Sequence, residues 1–195
     1  MAPADEAADR SVPLRGSTVI TGPSNVGKTR LTARALDAWV AEHGPEDLVV
    51  FEFGPELELD GRILGGHLTR FTSIPPGAFH GVLEAHAPRA ASDSTDQAEA
   101  LARDNADRVA RIFAAAPPDP RAVFVNDATI PFQHEAGDLD EFLAYCDGAE
   151  CAVLNAFESE ELGTTDPISR RERAVLDRLK NWADRVVSLT MDAGG

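Results

Sequence analysis

Short apolar runs alternate along this chain with longer segments in which apolar residues recur every three or four positions. The runs are four to six residues long and nearly continuous in apolar or β-branched side chains, so they predict buried strands. They cover residues 17–21, 48–53, 122–125, 151–155 and 185–189. The longer segments predict helices over residues 29–42, after the capping pattern at 94–97, from residue 138 and from residue 166. This alternation predicts an α/β three-layer sandwich with a mainly parallel sheet.

Residues 56–92 interrupt the alternation. They contain many glycine, proline and histidine residues and predict a loop-rich insert with one short strand at 68–73. Residues 1–12 include Asp5, Glu6 and Asp9 but no strand-like or helical apolar pattern, and they predict a flexible tail. The length of 195 residues suits one domain with a substantial core over residues 13–195.

The formal net charge of −15 narrows the range of partners, because such a field repels nucleic acid and anionic membranes in bulk. No apolar run approaches the ~18 residues of a membrane span, and the first residues lack the features of a secretory signal. We therefore expect a cytoplasmic protein that binds neither bulk nucleic acid nor membrane and that is able to form oligomers. The spacing of Cys146 and Cys151 fits no metal or redox motif, and Cys151, which opens an apolar run, is predicted to be a small buried side chain.

The most informative segment follows the first predicted strand and has the pattern G-x-x-x-x-G-K-[ST]. Its residues are Gly22, Pro23, Ser24, Asn25, Val26, Gly27, Lys28 and Thr29. The glycines allow a tight turn whose backbone N–H groups surround an anion. Lys28 supplies a positive charge for the terminal phosphates, and the Thr29 hydroxyl is suited to bind Mg²⁺. A helix begins directly behind the loop and directs its positive dipole end at the phosphates. The segment therefore predicts a nucleoside triphosphate site.

Polar residues at the ends of other strands complete the predicted site. Asp127 follows an apolar strand, as in a Walker B segment, and is predicted to hold Mg²⁺ opposite Thr29. Either Glu52 or Glu56, near the end of the second strand, is predicted to prepare the attacking nucleophile. Asn155 ends the fourth strand and is predicted to sense the terminal phosphate.

Two further groups have an ordinary structural interpretation beside a functional one. Arg170, Arg171 and Arg173 are placed to reach phosphates, although a solvated charged helix face is the more common role. His67 lies in the insert, where a histidine is usually exposed or hydrogen-bonded. Residues 155–158 lack the lysine and aspartate with which GTPases recognise guanine, and this argues against a GTPase.

The order of these parts resembles the RecA/KaiC-like branch of P-loop ATPases. The resemblance is carried by the loop at 22–29, by the second strand with its acids at 49–56, and by the strand that ends at Asp127. It implies a RecA-like parallel sheet and Mg-ATP as ligands. A fainter resemblance, to adenosylcobinamide kinase/guanylyltransferase, is carried by residues 60–63 with His67 downstream and by the tail from Asn155 to Val186. In that family a histidine of this region carries a nucleotidyl group, which implies His67 here.

Three functions follow as expectations. The first is an ATPase that hydrolyses the β–γ phosphoanhydride of Mg-ATP. The second is a small-molecule kinase or nucleotidyltransferase whose acceptor binds in the 56–92 region. The third is a nucleotide-dependent switch that binds a partner protein and hardly turns over.

Overall fold

The computed structural model describes residues 11–59, 62–64, 66–159 and 165–191. Over these residues the strands are β1 (Gly16–Gly22), β2 (Leu48–Glu52), β3 (Leu57–Leu59), β4 (Arg62–Leu64), β5 (Phe79–Val82), β6 (Ala122–Asn126), β7 (Cys151–Phe157) and β8 (Arg185–Ser188). The helices are α1 (Lys28–His43), α2 (Thr95–Ala115), α3 (Leu139–Asp147) and α4 (Pro167–Trp182). Side-chain oxygens of Ser94, Asp138 and Asp166 cap α2, α3 and α4, each accepting a hydrogen bond from the backbone N–H three residues later.

The main sheet contains six strands of the described residues in the order β5-β2-β6-β7-β1-β8, and every pair is parallel. The mainly parallel α/β sheet predicted from the sequence is therefore confirmed. All strands point the same way, so their carboxyl ends share one edge, where ligands of such sheets bind. β3 and β4 form a separate antiparallel hairpin.

Helices cover both faces of this sheet. Consecutive strand residues such as Val19 and Ile20 point to opposite faces of the sheet and belong to different apolar clusters. The cluster around Ile20 includes Leu36 and Trp39 of α1, whereas the one around Val19 includes side chains of α2, α3 and α4. The strands are buried on both sides, which is why their sequences read as continuous apolar runs.

The insert differs from its predicted structure. The prediction of a strand at 68–73 is wrong, because Leu68–Arg70 form a 3₁₀ turn. The N–H groups of Phe71 and Thr72 extend this turn by donating to the Leu68 carbonyl. Leu68 is fully buried there, and its N–H donates to the Glu52 carboxylate. A strand that was not predicted, β5, pairs with β2 at the edge of the sheet. Its composition, with His80 and Gly81, gives no apolar run to recognise.

Residues 1–10 of the predicted tail lie outside the described residues, and so do positions 60, 61 and 65 of the insert. Val12, at the end of that tail, is buried in the cluster of α1, so the packed chain begins before residue 13. Cys146 and Cys151 are buried free thiols, which confirms the burial predicted for Cys151. No helix in the described ranges has both the length and the apolar character needed to cross a membrane.

Candidate nucleotide site at the carboxyl end of the sheet

The loop at residues 22–29 connects the carboxyl end of β1 to the first turn of α1. Its conformation requires the residues that the motif specifies. Gly27 has a φ of 96° and Gly22 a φ of 150°, and a Cβ on Gly22 would lie 2.4 Å from the Leu189 carbonyl oxygen. Asn25 also has a positive φ of 63°, which asparagine tolerates better than most residues. The glycine pattern is thus a local backbone requirement of this bend.

A cavity of about 580 Å³ opens against this loop, within the usual range for small-molecule sites. Loop residues 24–29 form one wall, and Asp127 and Phe157 lie beside them. The remaining lining comes from several other parts of the chain: Arg30, Pro55, Gly66, Arg70, Phe71, Ala87, Pro88, Arg89, Ala90, Ile130, Gln133 and Glu172. The structure therefore brings Lys28, Thr29 and Asp127 together, as the sequence predicts, while Gly22 and Pro23 do not line the cavity.

Lys28 is held at this cavity with only 7% of its surface exposed. Its ammonium group donates to the Pro23 carbonyl at 2.5 Å and lies 5.7 Å from the centre of the Phe157 ring. Burial lowers the pKa of Lys28, and the nearby Asp127 carboxylate opposes that shift. A cation in this environment is poorly solvated, so an anion entering the cavity interacts with it strongly.

Asp127 follows β6 and has a φ of 58°, an unusual conformation for a residue other than glycine. Its carboxylate packs on the backbone of Gly54, where a Cβ would lie 2.1 Å from Oδ2. Burial raises the pKa of Asp127 to about 6, and Glu172 adds to the effect, while Lys28 and His67 oppose it. Asp127 thus combines an unusual backbone conformation, a crowded carboxylate and a raised pKa at the wall of the cavity.

A buried network of amide side chains connects the strand ends behind the loop. Asn126, the last residue of β6, accepts from the Thr29 hydroxyl at 3.2 Å and donates to the Gly66 carbonyl at 2.9 Å. Asn155 donates to Asn126 Oδ1 and to the Thr32 hydroxyl, both at 3.0 Å, and accepts from the Asp127 N–H at 2.9 Å. Asn155 is therefore placed to fix the backbone of Asp127, and it does not line the cavity. Sequence reasoning missed Asn126, although it immediately precedes Asp127.

Glu52 is fully buried at the end of β2. Its Oε1 accepts from the Leu68 N–H at 2.7 Å and lies 4.0 Å from His80 Nε2, whereas its Oε2 has no hydrogen-bond partner. Burial raises the pKa of Glu52 from 4.5 to about 7. The hydrogen bonds to its carboxylate lower the pKa but do not outweigh the effect of burial. Glu52 thus anchors the 68–70 turn without lining the cavity.

Because the pKa of Glu52 is higher in the folded protein than in the unfolded chain, its contribution to stability is complete below pH 4.5 and is lost as the pH rises through about 7. Glu52→Gln removes this titration. We expect the unfolding free energy of the variant, relative to wild type, to increase by about 3 kcal/mol between pH 4.5 and pH 8. Urea unfolding across this range measures it.

The control for this pH experiment is Glu150→Gln, which removes an exposed carboxylate paired with Arg121, a partner that lowers its pKa. That variant should not gain stability relative to wild type as the pH rises. If the unfolding free energies of Glu52→Gln and wild type differ by the same amount at pH 4.5 and at pH 8, Glu52 is ionised to the same extent in the folded and unfolded states, and the prediction is wrong.

Glu56, His67 and His80 lie near the same end of β2 as Glu52. Glu56 is exposed, its carboxylate accepts from the His67 N–H at 3.4 Å, and it lies 4.0 Å from His67 Nδ1. The other ring nitrogen of His67 is 3.2 Å from the Gly54 carbonyl oxygen. Burial lowers the pKa of His80, and His67 acts in the same direction. The structure thus places Glu56 and His67 beside the strand ends but outside the lining of the cavity.

The three arginines for which a phosphate contact was one of two interpretations lie away from the cavity. Arg170 is exposed, Arg171 donates to the Phe132 carbonyl at 3.0 Å, and neither they nor Arg173 line the cavity. Their neighbour Glu172 lines it instead, and it is buried.

The Glu172 carboxylate accepts from the hydroxyl of Thr129 at 3.0 Å and from the amide of Gln133 at 3.2 Å, and it forms an ion pair with Arg89. Residues 89 and 172 are far apart in sequence, and no local pattern indicates their pairing.

Comparison with protein-family models and with curated proteins gives no match to this chain. The class of the protein therefore follows from the fold and the site alone. The described residues form an α/β protein with a six-stranded parallel sheet and, at its carboxyl edge, a cavity lined by both polar and apolar side chains.

Proposed function

We propose that this protein is a P-loop ATPase of the RecA-like type, which binds Mg-ATP in the cavity and hydrolyses its β–γ phosphoanhydride. The observation that carries the proposal is the convergence of Lys28, Thr29 and Asp127 on one cavity at the carboxyl ends of parallel strands. The glycine-dependent bend of residues 22–29 supports it, because its backbone suits an anion.

The residues at the cavity fit a magnesium ion bound together with a nucleotide. The Thr29 hydroxyl and the Asp127 carboxylate are oxygen ligands of the kind that Mg²⁺ prefers, with water completing its coordination. Magnesium neutralises charge on the phosphates when bound. In the described residues no group of three His, Cys, Asp or Glu side chains is arranged to hold a metal, so the proposed ion depends on these two ligands and on the phosphates.

The residue proposed to prepare the attacking water is Glu56. Both candidate glutamates lie near the end of β2, but Glu52 is fixed to the buried 68–70 turn, whereas Glu56 is exposed and able to move. Glu52 then acts as a positioning residue, because it holds the turn that follows His67. Asn155 acts in the same way on Asp127, through its hydrogen bond to the Asp127 N–H.

A small-molecule kinase is the second candidate. It is favoured by the extent of the cavity, which continues beyond the P-loop to residues 87–90, Ile130 and Gln133. An acceptor with a hydroxyl group would bind against this wall and receive the terminal phosphoryl group in place of water.

The test measures binding of Mg-ATP by calorimetry and release of inorganic phosphate with ATP alone. An ATPase releases phosphate continuously, and omission of Mg²⁺ abolishes the release. Tight binding with negligible release would exclude the ATPase and leave the kinase or a nucleotide-dependent switch, of which the switch would change its oligomeric state with nucleotide. Absence of binding would contradict the proposed site altogether.

A further inference from the structure

The cavity has an aromatic rim at Phe71, whose side chain is 45% exposed although it is large and apolar. Among the described residues, the other large apolar side chains with comparable exposure are Val82, Val186 and Met191, and none of these three lines the cavity. Phe71 does line it, next to Arg70. An exposed aromatic ring at the wall of a cavity indicates a contact surface for a ligand.

This ring is held in place by its neighbours along the chain. The N–H groups of Phe71 and Thr72 donate to the Leu68 carbonyl at 2.8 and 3.0 Å. Leu68 is itself anchored to Glu52, and the Thr72 hydroxyl donates to the Asp37 carboxylate of α1. The rim is therefore tied both to the sheet and to the helix behind the P-loop.

Arg30 connects the rim to the P-loop. It lies two residues after Lys28, in the first turn of α1, and its guanidinium carbon is 5.4 Å from the centre of the Phe71 ring. Arg30 and Phe71 thus form a flat cation–aromatic surface on the same helix end that faces the proposed phosphates. We call this pair the Arg30–Phe71 platform.

We propose that the Arg30–Phe71 platform binds the purine base of the nucleotide by stacking. This inference rests on the proposed function and specifies the part of the substrate beyond its phosphates. A ligand whose phosphates occupy residues 24–29 must extend along the cavity wall, and this platform offers a π surface to its flat ring. Residues 87–90, which also line the cavity, consist of alanine and proline with an arginine already paired to Glu172.

Stacking of a base on an aromatic ring contributes about 1–3 kcal/mol by alanine substitution, equivalent to roughly 5- to 150-fold in affinity. The strength of stacking depends on the area of the base more than on the hydrogen-bonding groups at its edge. We therefore expect purine nucleotides to bind more tightly than pyrimidine nucleotides.

The experiment compares two probes, Mg-AMPPNP and magnesium tripolyphosphate, which share the phosphate chain but differ in the base. Calorimetry on the full chain measures both affinities. Phe71→Ala should weaken Mg-AMPPNP about tenfold or more while changing the tripolyphosphate affinity less than about twofold. Phe71→Tyr should restore the affinity for Mg-AMPPNP, and Val82→Ala, which truncates an exposed side chain of the edge strand β5, should change neither probe.

Equal weakening of both probes by Phe71→Ala would overturn the stacking role and show that the ring shapes the phosphate site. Unchanged binding of Mg-AMPPNP would overturn it too, because the base would then bind elsewhere. Failure of both probes to bind the wild-type protein would reject the proposed function together with this inference. The two failures are thus distinguishable.

Discussion

We expect Lys28→Ala to lower the affinity for Mg-ATP, or its turnover, about 100-fold, with the fold retained. The ammonium group of Lys28 is buried beside the backbone bend of residues 22–29 and donates to the Pro23 carbonyl. Loss of one well-placed donor to a transferring group typically costs 10²–10³ in rate. The same loss of a charge-assisted hydrogen bond weakens ground-state binding. Calorimetry and phosphate release measure the two effects separately.

The chain offers a matched control, because Lys180 is its only other lysine. Lys180→Ala removes the same charge from α4, where the ammonium group is paired with Glu158 at 2.6 Å and does not line the cavity. We expect binding and turnover near wild type in this control. Lys28→Met, which keeps the aliphatic stem, should behave as Lys28→Ala does. Unchanged Mg-ATP binding in both Lys28 variants would refute the site.

Asp127→Asn should lower Mg²⁺-dependent turnover by about 100-fold or more without loss of stability. The substitution keeps the shape of the side chain and replaces a charged magnesium ligand by a neutral one. Asparagine tolerates the positive φ of this position, so the backbone has no reason to change. The buried carboxylate has a raised pKa, and its removal relieves a cost of burial.

The informative measurement for Asp127→Asn is the ratio of nucleotide affinities with and without Mg²⁺. In the wild type we expect magnesium to tighten binding, and in the variant we expect this gain to disappear. Asp104→Asn is the control, because Asp104 is an exposed surface carboxylate that pairs with His86 and Arg108. A variant with full magnesium dependence would remove Asp127 from the metal site.

Part of the fold was predictable because its causes are local in sequence. The buried strands carry continuous apolar runs, and the helices that start at residues 95, 139 and 167 have capping residues that bond within one turn. The loop at 22–29 was equally predictable, since its backbone angles depend on its own glycines.

The insert shows where local reasoning fails. Residues 68–73 contain enough apolar and β-branched side chains to predict a strand, yet Leu68 is drawn into a 3₁₀ turn by the buried carboxylate of Glu52. The strand β5 forms at residues 79–82 because β2 offers an edge for pairing, not because its own sequence favours a strand. In both cases the deciding partner lies many residues away.

The sequence by itself determined where the chain turns, which segments are buried, and which loop suits a phosphate chain, since these depend on side chains within a few residues of one another. Only the tertiary structure decided which groups share the cavity. It placed Arg89 on Glu172, joined Asn126 to Thr29, Gly66 and Asn155, and set Phe71 under Arg30. The physical reason is that these contacts form when parallel strands align their carboxyl ends, and that alignment brings together residues from distant parts of the chain.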